Sequence, residues 1–413
     1  MKVLHITAHL GGGVGKAHSA LCASTDPAIS RHYVLLEAPR DRRFVDQVEA
    51  TGTRVTIAPD ADALAALAAD ADIVQIEWWN HPRLYAALCR TSLPAMRTVF
   101  WCHISGLFAP FVPASLFEAA GRFVFTSPCS MDMPQIAALP AHVGAGLEAI
   151  GSGFGFDGLA PDRPAAGGHP RRVGYLGTLD FAKMSPHFFE VVDAVDAEPF
   201  QVSLWGAYDP NGPLVHAARR MQHPERIRFE GHAADPAAVL GKTGIFLYLL
   251  QPQHYGTAEN ALVEAMSLGC VPLAFANPAE QAIVDHGVTG FAEADIPAAV
   301  RRLEWMLKQP ETLEEIGQRA MAVTTATRTP AISAKRFERL YRDLLHTEKR
   351  TPDFKALLGE TPAQWFLGTQ MPEPVSAGAA PDLLRGFSVA GSEAKGSLVH
   401  FRGCFPDDPS LAV

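Results

Sequence analysis

QHYGTAENALVEAMSLGCVPLAFANPAEQAIVDHGVTGF, from Gln253 to Phe291, passes from a helical pattern to a strand pattern without a break. Behind Glu259-Asn260, the residues Ala261, Leu262, Ala265 and Met266 recur at the spacing of one buried helix face. Gly269 stands where such a helix would end, and 271–275 follow as a continuous apolar run. A helix feeding a strand that is apolar on both faces is the repeating unit of a parallel α/β sheet.

The same alternation extends outward in both directions. Upstream, strand-like runs occupy 3–7, 32–37, 54–57, 73–77, 98–102 and 122–126, with helical patterns between them. A stretch at 156–170 rich in Gly, Pro and Ala reads as a linker and hinge. A second series of runs follows at 172–175, 201–205, 226–229, 245–249 and 271–275. The expectation is an α/β chain of two doubly wound, Rossmann-like domains, 1–160 and 161–330, facing a ligand cleft at the carboxyl ends of their strands. Residues 331–413 are expected to add a C-terminal helix and an irregular extension packed back on the body.

Bulk properties exclude several classes. At 413 residues the chain exceeds what one core normally serves. A net charge of −9 gives no basic field for nucleic acid. Six scattered cysteines without a C-x-x-C pair suit reduced thiols in the cytoplasm better than a disulfide frame or a structural metal. No apolar run approaches the ~20 residues of a membrane span. Residues 1–160 carry 11 Lys plus Arg against 14 Asp plus Glu, which disfavours stable docking on anionic lipid. The expected location is cytoplasmic, with peripheral contact at the inner membrane face left open.

The segment HLGGGVGKAH at 9–18 follows the first strand. It is not a P-loop, because Leu10 stands five residues before Gly15 and Ala17 follows Lys16. It is not the dinucleotide fingerprint either, since Lys16 replaces the last Gly. What remains is a glycine turn and a helix from Lys16 onward, a geometry that exposes backbone N–H groups to an anion or serves as a tight turn only.

In the deciding stretch, Glu264 falls one or two turns into its helix. A carboxylate there can accept two hydrogen bonds from a ribose diol, while the N–H groups of Asn260, Ala261 and Leu262 hold a phosphate. The stretch resembles the donor-binding motif of family 4 glycosyltransferases, retaining enzymes of the GT-B fold that use nucleotide sugars. Glu264-Ala265-Met266, Gly269, Val271-Pro272 and Asp285 to Phe291 match it. The resemblance covers about residues 1–345 and is strongest in the second half. The first Glu of the family motif would fall at Gly256, and Glu259 is the nearest acid. The family's Gly-Arg-Leu-x-x-x-Lys segment appears as Gly177-Thr178-Leu179-Asp180-Phe181-Ala182-Lys183, with Lys in register and Thr178 in place of Arg. The resemblance implies that Gly12 and Gly13 lie against the donor diphosphate and the acceptor, and that Lys183 and Thr178 lie near the diphosphate. It further implies that Glu259 or another group holds the sugar, and that His103, after the fifth strand, touches the sugar.

Trp78, Trp79, Asn80 and His81 end the fourth strand at the same rim. Aromatic faces suit sugar rings and the polar pair suits hydroxyls, so they stand as acceptor candidates beside the plainer reading of core packing. The apolar loop 107–112 either greets a lipid-linked acceptor or folds over the core. Asp407-Asp408, between two prolines, reads as turn chemistry. The expected function is metal-independent hexosyl transfer from a UDP- or GDP-sugar to an unidentified acceptor, with no cofactor beyond that donor. A non-catalytic sugar or nucleotide-sugar binding protein, or an epimerase or phosphorylase on the same scaffold, is the rival.

Overall fold

A computed structural model describes residues 1–153, 172–197, 199–254, 256–371, 375–376, 378–387 and 396–412. The proposed hinge at 156–170 lies outside the described residues. The chain forms two compact units. The first comprises Met1–Gly153, Tyr255–Ala258 and Pro330–Val413, and the second Phe154–His254 and Glu259–Thr329.

Among the described residues, the sheet of the first unit has seven strands: β1 Lys2–Thr7, β2 Ser30–Leu35, β3 Arg54–Ile57, β4 Ile73–Trp78, β5 Thr98–Cys102, β6 Arg122–Phe125 and β7 Leu147–Ala149. Their order is β3-β2-β1-β4-β5-β6-β7, all parallel. The second unit repeats the plan with six: β8 Val173–Leu176, β9 Val202–Trp205, β10 Ile227–Gly231, β11 Ile245–Tyr248, β12 Val271–Phe275 and β13 Phe291–Glu293. Here the order is β10-β9-β8-β11-β12-β13, again all parallel.

Eleven of these strands coincide, within two residues at either end, with the runs read from sequence. The two unforeseen ones, β7 and β13, are three-residue edge strands, too short to show a period. Continuous burial along β4 and β11 follows from cover on both faces. In each sheet the chain reverses direction between β1 and β4, or between β8 and β11, so the loops behind those strands diverge and leave a crevice. That topology places the residues after Thr7 and Trp78 in one unit, and after Leu176 and Tyr248 in the other, where ligands bind.

Two expectations are corrected. The helix after β1 begins at Gly12 rather than Lys16 and runs Gly12–Ala23. Low helix propensity made the glycines look like a turn, yet in a first turn, where N–H groups lack partners anyway, that cost is small. The tail is also more regular than foreseen. Helix Pro330–Leu345 is followed by short helices Phe354–Leu358, Pro362–Gln370, Ala380–Leu384 and Leu398–Cys404. They bury Trp365, Phe366, Leu367 and Phe401 in the same core as Trp78 and Tyr85. The loop 107–112 is held there too, the Phe111 amide donating to the Thr369 carbonyl at 2.7 Å.

Candidate functional site

In the second unit the residues after β8 and β11 are zipped together. The Ser185 amide donates to Leu249 O at 2.9 Å and the Gln251 amide to Lys183 O at 3.0 Å, with a bridge between Met184 and Leu250. This fixes Lys183 beside the strand end carrying Tyr248. Its ammonium lies 3.1 Å from Glu259 Oε2 and 5.4 Å from the centre of the Tyr248 ring. Tyr248 donates its hydroxyl proton to the same carboxylate oxygen, and His254 Nδ1 lies 3.7 Å from Oε1. His254 Nε2 in turn meets Glu280 at 3.1 Å.

Burial alone would raise the Glu259 carboxyl, but the Lys183 ammonium first, then His254 and the Tyr248 hydroxyl, hold it below the ordinary carboxylate range. Lys183 is held well above its ordinary value, burial being outweighed by Glu259. Lys183 is therefore a fixed positive charge.

Glu259 is also the residue before helix Asn260–Ser267, with a left-handed φ of 36° and ψ of 56°. A non-glycine residue in that region costs of order 1–3 kcal/mol and is held by its surroundings, here the Lys183 and Tyr248 contacts. Its side chain makes no cap, so the first-turn amides of Asn260 and Ala261 remain as donors of the positive helix end. Leu262 is a correction: it is fully buried and its amide is already bonded to Glu259 O at 2.9 Å. Glu264 is the fifth residue of the helix, one turn in, and is only 3% exposed. Thr178 is exposed after β8, its carbonyl accepting from the Tyr175 hydroxyl at 2.9 Å.

In the first unit, Gly12 and Gly13 are exposed in the first turn of their helix, Gly12 with a φ of 59° and open space where a side chain would stand. His103 is not solitary. Its Nε2 donates to Glu77 Oε2 at 3.0 Å, and Glu77, fully buried in β4, also takes His5 Nδ1 at 2.9 Å, Gln75 Nε2 at 2.9 Å and His18 Nε2 at 3.1 Å. Outer partners fix each proton. Arg31 donates to His5 Nε2 at 2.6 Å, so His5 carries its proton on Nδ1. The Cys22 thiol donates to the Tyr33 oxygen, whose hydroxyl then donates to His18 Nδ1 at 2.9 Å and leaves the His18 proton on Nε2. Tyr341, from helix Pro330–Leu345, donates to Gln75 Oε1 and orients that amide. His103, with its proton committed to Glu77, keeps the Nδ1 lone pair as a hydrogen-bond acceptor at the end of β5.

Burial would raise Glu77, but the surrounding ring protons, His18 foremost, hold it well below the carboxylate range. Burial, with the charge of Arg31, lowers His5 to about 3, and burial lowers His103 as well. A histidine whose native value lies below its unfolded value of ~6.5 contributes stability that is complete above that pH and lost as pH falls toward the native value. For His5 alone, going from pH 6.5 to 5 is expected to cost about 2 kcal/mol in urea unfolding, at ~1.4 kcal/mol per pH unit. His5→Asn, which retains a donor to Glu77 but cannot titrate, should lose that share of the acid sensitivity. An unchanged pH dependence in this variant would refute the buried neutral His5.

The acceptor candidates are placed differently from expectation. Trp78 is fully buried against Tyr85 and Phe100, so it is a core residue and not a sugar platform. Trp79 and Asn80 are buried, Asn80 accepting from the Tyr85 hydroxyl at 3.1 Å. His81 caps helix Pro82–Arg90, its Nδ1 accepting from the Arg83 amide at 3.2 Å. Its Nε2 lies 3.4 Å from Glu37, with His9 Nε2 3.8 Å from the same carboxylate. Asp408 caps the last turn by accepting from Ser410 and pairs with Arg90 at 3.2 Å, in keeping with turn chemistry.

Among the described residues, two groups bring metal-ligand residue types together: His5, His18 and Glu77, and His9, Glu37 and His81, with ligand atoms within 4.8 Å of one another. A cation needs nitrogen lone pairs. In the first group those edges carry protons aimed at Glu77. In the second, Nδ1 of His9 and of His81 accepts a backbone N–H, which puts the proton on Nε2, the edge facing Glu37. Both donor sets fit hydrogen-bond networks and do not fit a metal.

Comparison with known proteins agrees with this architecture. Residues 170–309 match the family model described as Glycosyl transferases group 1. Among solved structures, a glycosyltransferase from Rickettsia africae superposes with a TM-score of 0.67 at 11% identity, over 84% of this chain and 99% of that one. An Anabaena HepE in complex with UDP and glucose gives 0.63 at 15% identity, over 83% and 100%. Sucrose-phosphate synthase from Thermosynechococcus elongatus gives 0.58 at 16%, over 83% and 98%. A comparison with curated protein sequences finds no relative. No described helix is long and apolar enough to cross a membrane. Residues 170–309 thus match the Glycosyl transferases group 1 model, and the chain as a whole has the GT-B fold of these solved structures.

Proposed function

We propose that the chain is a retaining glycosyltransferase of family 4 that moves a hexose from a UDP- or GDP-sugar to an acceptor without a metal. The observation that carries the reading is a half-buried cation, Lys183, held at the N-terminus of the helix that bears Glu264. A departing nucleoside diphosphate develops charge that preorganised donors stabilise. The Lys183 ammonium with the amides of Asn260 and Ala261 supplies that positive potential. In this reading Glu264 accepts the ribose hydroxyls, and Glu259, by holding Lys183, takes the sugar-side role of the missing Glu. The Anabaena neighbour, solved with UDP and glucose, supports a UDP-linked donor.

In this reading His103 faces the transferred sugar as a neutral acceptor, and Glu77 acts through it by holding its tautomer. The leaving phosphate takes the acceptor proton on the face from which it departs, as the family resemblance implies, so no separate side-chain base is required. Gly256, where the family motif has Glu, favours a second reading, a nucleotide-sugar binding protein without turnover. The test is release of UDP from UDP-glucose, or GDP from GDP-mannose, in the absence of acceptor. Slow hydrolysis that disappears in Lys183→Met is expected. Tight binding with no turnover of either donor, even with acceptors added, would point to the binding protein.

A further inference from the structure

A cavity of about 450 Å³ opens at the amino-terminal ends of β5, β6 and β7, opposite the ends that face the crevice. That volume falls within the ~300–1,000 Å³ of small-molecule sites. His103 follows the other end of β5, about 17 Å away at ~3.3 Å per residue, so the cavity is separate from the proposed reaction site. Every residue lining it belongs to the first unit. One side is closed by the end of helix Pro330–Leu345 and the chain behind it. Paired backbone bonds between Met96 and Arg350, at 2.7 and 2.9 Å, fasten that segment to the start of β5.

The inner wall is apolar except at Thr98. Met96, Phe117, Phe123, Val143 and Leu344 form it, all buried, with the Phe117 and Phe123 rings edge to face at 4.7 Å. Thr98, the first residue of β5, is 2% exposed, and its Oγ1 has no hydrogen-bond partner among the described residues. A buried hydroxyl left unpaired is destabilising, so this one calls for a partner from outside the chain. The rim is charged: Arg97, Arg122 and Arg350, with His142, stand against Glu118 and Glu348. Arg97 is anchored, its Nε donating to Thr347 O at 2.7 Å. Arg122 gives one N–H to the Gly121 carbonyl at 2.9 Å, and the exposed Arg350 side chain makes no bond among the described residues. Both guanidinium groups therefore keep donors for a ligand.

We propose that this cavity binds a small amphiphilic carboxylate, of the size of a medium-chain fatty acid. The apolar body packs against Phe117, Phe123 and Leu344, and the carboxylate accepts from the Thr98 hydroxyl and the guanidinium groups of Arg122 and Arg350. A cation would face three guanidinium groups. A bare phosphate would leave the apolar wall in water, and a second negative charge would face Glu118 and Glu348. One charge on an apolar body answers all of these features. The site lies in the first unit alone and does not depend on the transferase reading.

The test is calorimetric titration of the full chain with octanoate, in parallel with octanol, octylamine and inorganic phosphate. Octanoate is expected to bind with a Kd of roughly 10⁻⁴–10⁻³ M, octanol at least about tenfold more weakly, and octylamine and phosphate without saturation. Arg122→Gln/Arg350→Gln should bring octanoate down to the level of octanol. Ala120→Leu, which places a side chain in the cavity, should abolish binding. Thr98→Val keeps the shape and removes the donor, so octanoate should weaken about fivefold or more. The same variant should resist urea at least as well as wild type, because the hydroxyl bonds nothing within the chain. Failure of octanoate to bind, equal binding of octanoate and octanol, or octanoate binding that persists in Ala120→Leu overturns the proposal. A Thr98→Val variant that unfolds at lower urea would show that the hydroxyl already has a partner, and would overturn it too.

Discussion

Lys183→Met is expected to abolish glycosyl transfer, lowering turnover by about 10²–10³-fold, the usual loss when a preorganised charge at a leaving group is removed. The same substitution strands the Glu259 carboxylate. Breaking a buried ion pair by deleting one partner costs ~3–5 kcal/mol, and the lower end applies here because 27% of the Lys183 side chain reaches solvent and screens the pair. Stability and activity are separable. In Lys183→Met/Glu259→Gln the orphaned charge is gone and the carboxamide oxygen that replaces it can still accept from Tyr248, so urea unfolding should recover most of the loss while turnover stays down. If the double variant regained turnover as well, Lys183 would be a structural counter-ion with no part in the chemistry.

Glu77→Gln is the second large effect. Glu77 accepts from two ring N–H groups and one amide, all buried, with His18 Nε2 a further 3.1 Å ion-pair contact. Glutamine retains a single acceptor oxygen and turns the other position into a donor that faces His18 and His103. At least one buried donor loses its partner, at ~1–3 kcal/mol each, and the new amide protons add a further clash of donors. A loss of about 3 kcal/mol or more is expected. Nitrogen-15 NMR should show His103 as the Nε2–H tautomer in the wild type and a mixture in the variant, with the pH profile of turnover broadened accordingly. A variant that unfolds like wild type and keeps the His103 tautomer would remove Glu77 from the account.

The architecture was legible because strands covered on both faces are apolar at every position, and Gly269 punctuates the helix before β12. Of the proposed donor-side residues, Glu259 to Glu264 were read from one short stretch, while Thr178, Lys183, Gly12 and Gly13 came from the family resemblance. The Glu77 cluster was not, since His5, Glu77 and His103 meet through sheet pairing across β1, β4 and β5, and His18 joins them from helix Gly12–Ala23. A signal did exist. His5 in VLHIT, and Gln75 and Glu77 in IVQIEW, are polar residues inside central strands, where burial demands partners. The adjacent Trp78 and Trp79 misled for a related reason, because successive side chains at a strand end leave on opposite faces and cannot both meet one sugar. The position of His400 against His81 was beyond reach, depending as it does on the extension returning to the helix that His81 caps.

The central claim is that Glu264 holds a nucleotide ribose beside Lys183, and calorimetric titration with UDP and 2′-deoxy-UDP tests it most directly. Hydrogen bonds to a charged acceptor contribute ~1.5–3 kcal/mol each, about tenfold or more in affinity. The account predicts that wild type prefers UDP over 2′-deoxy-UDP by at least about tenfold, and that Glu264→Ala binds both weakly and alike. A Glu264→Ala variant that bound UDP as tightly as wild type, or kept the preference, would contradict it.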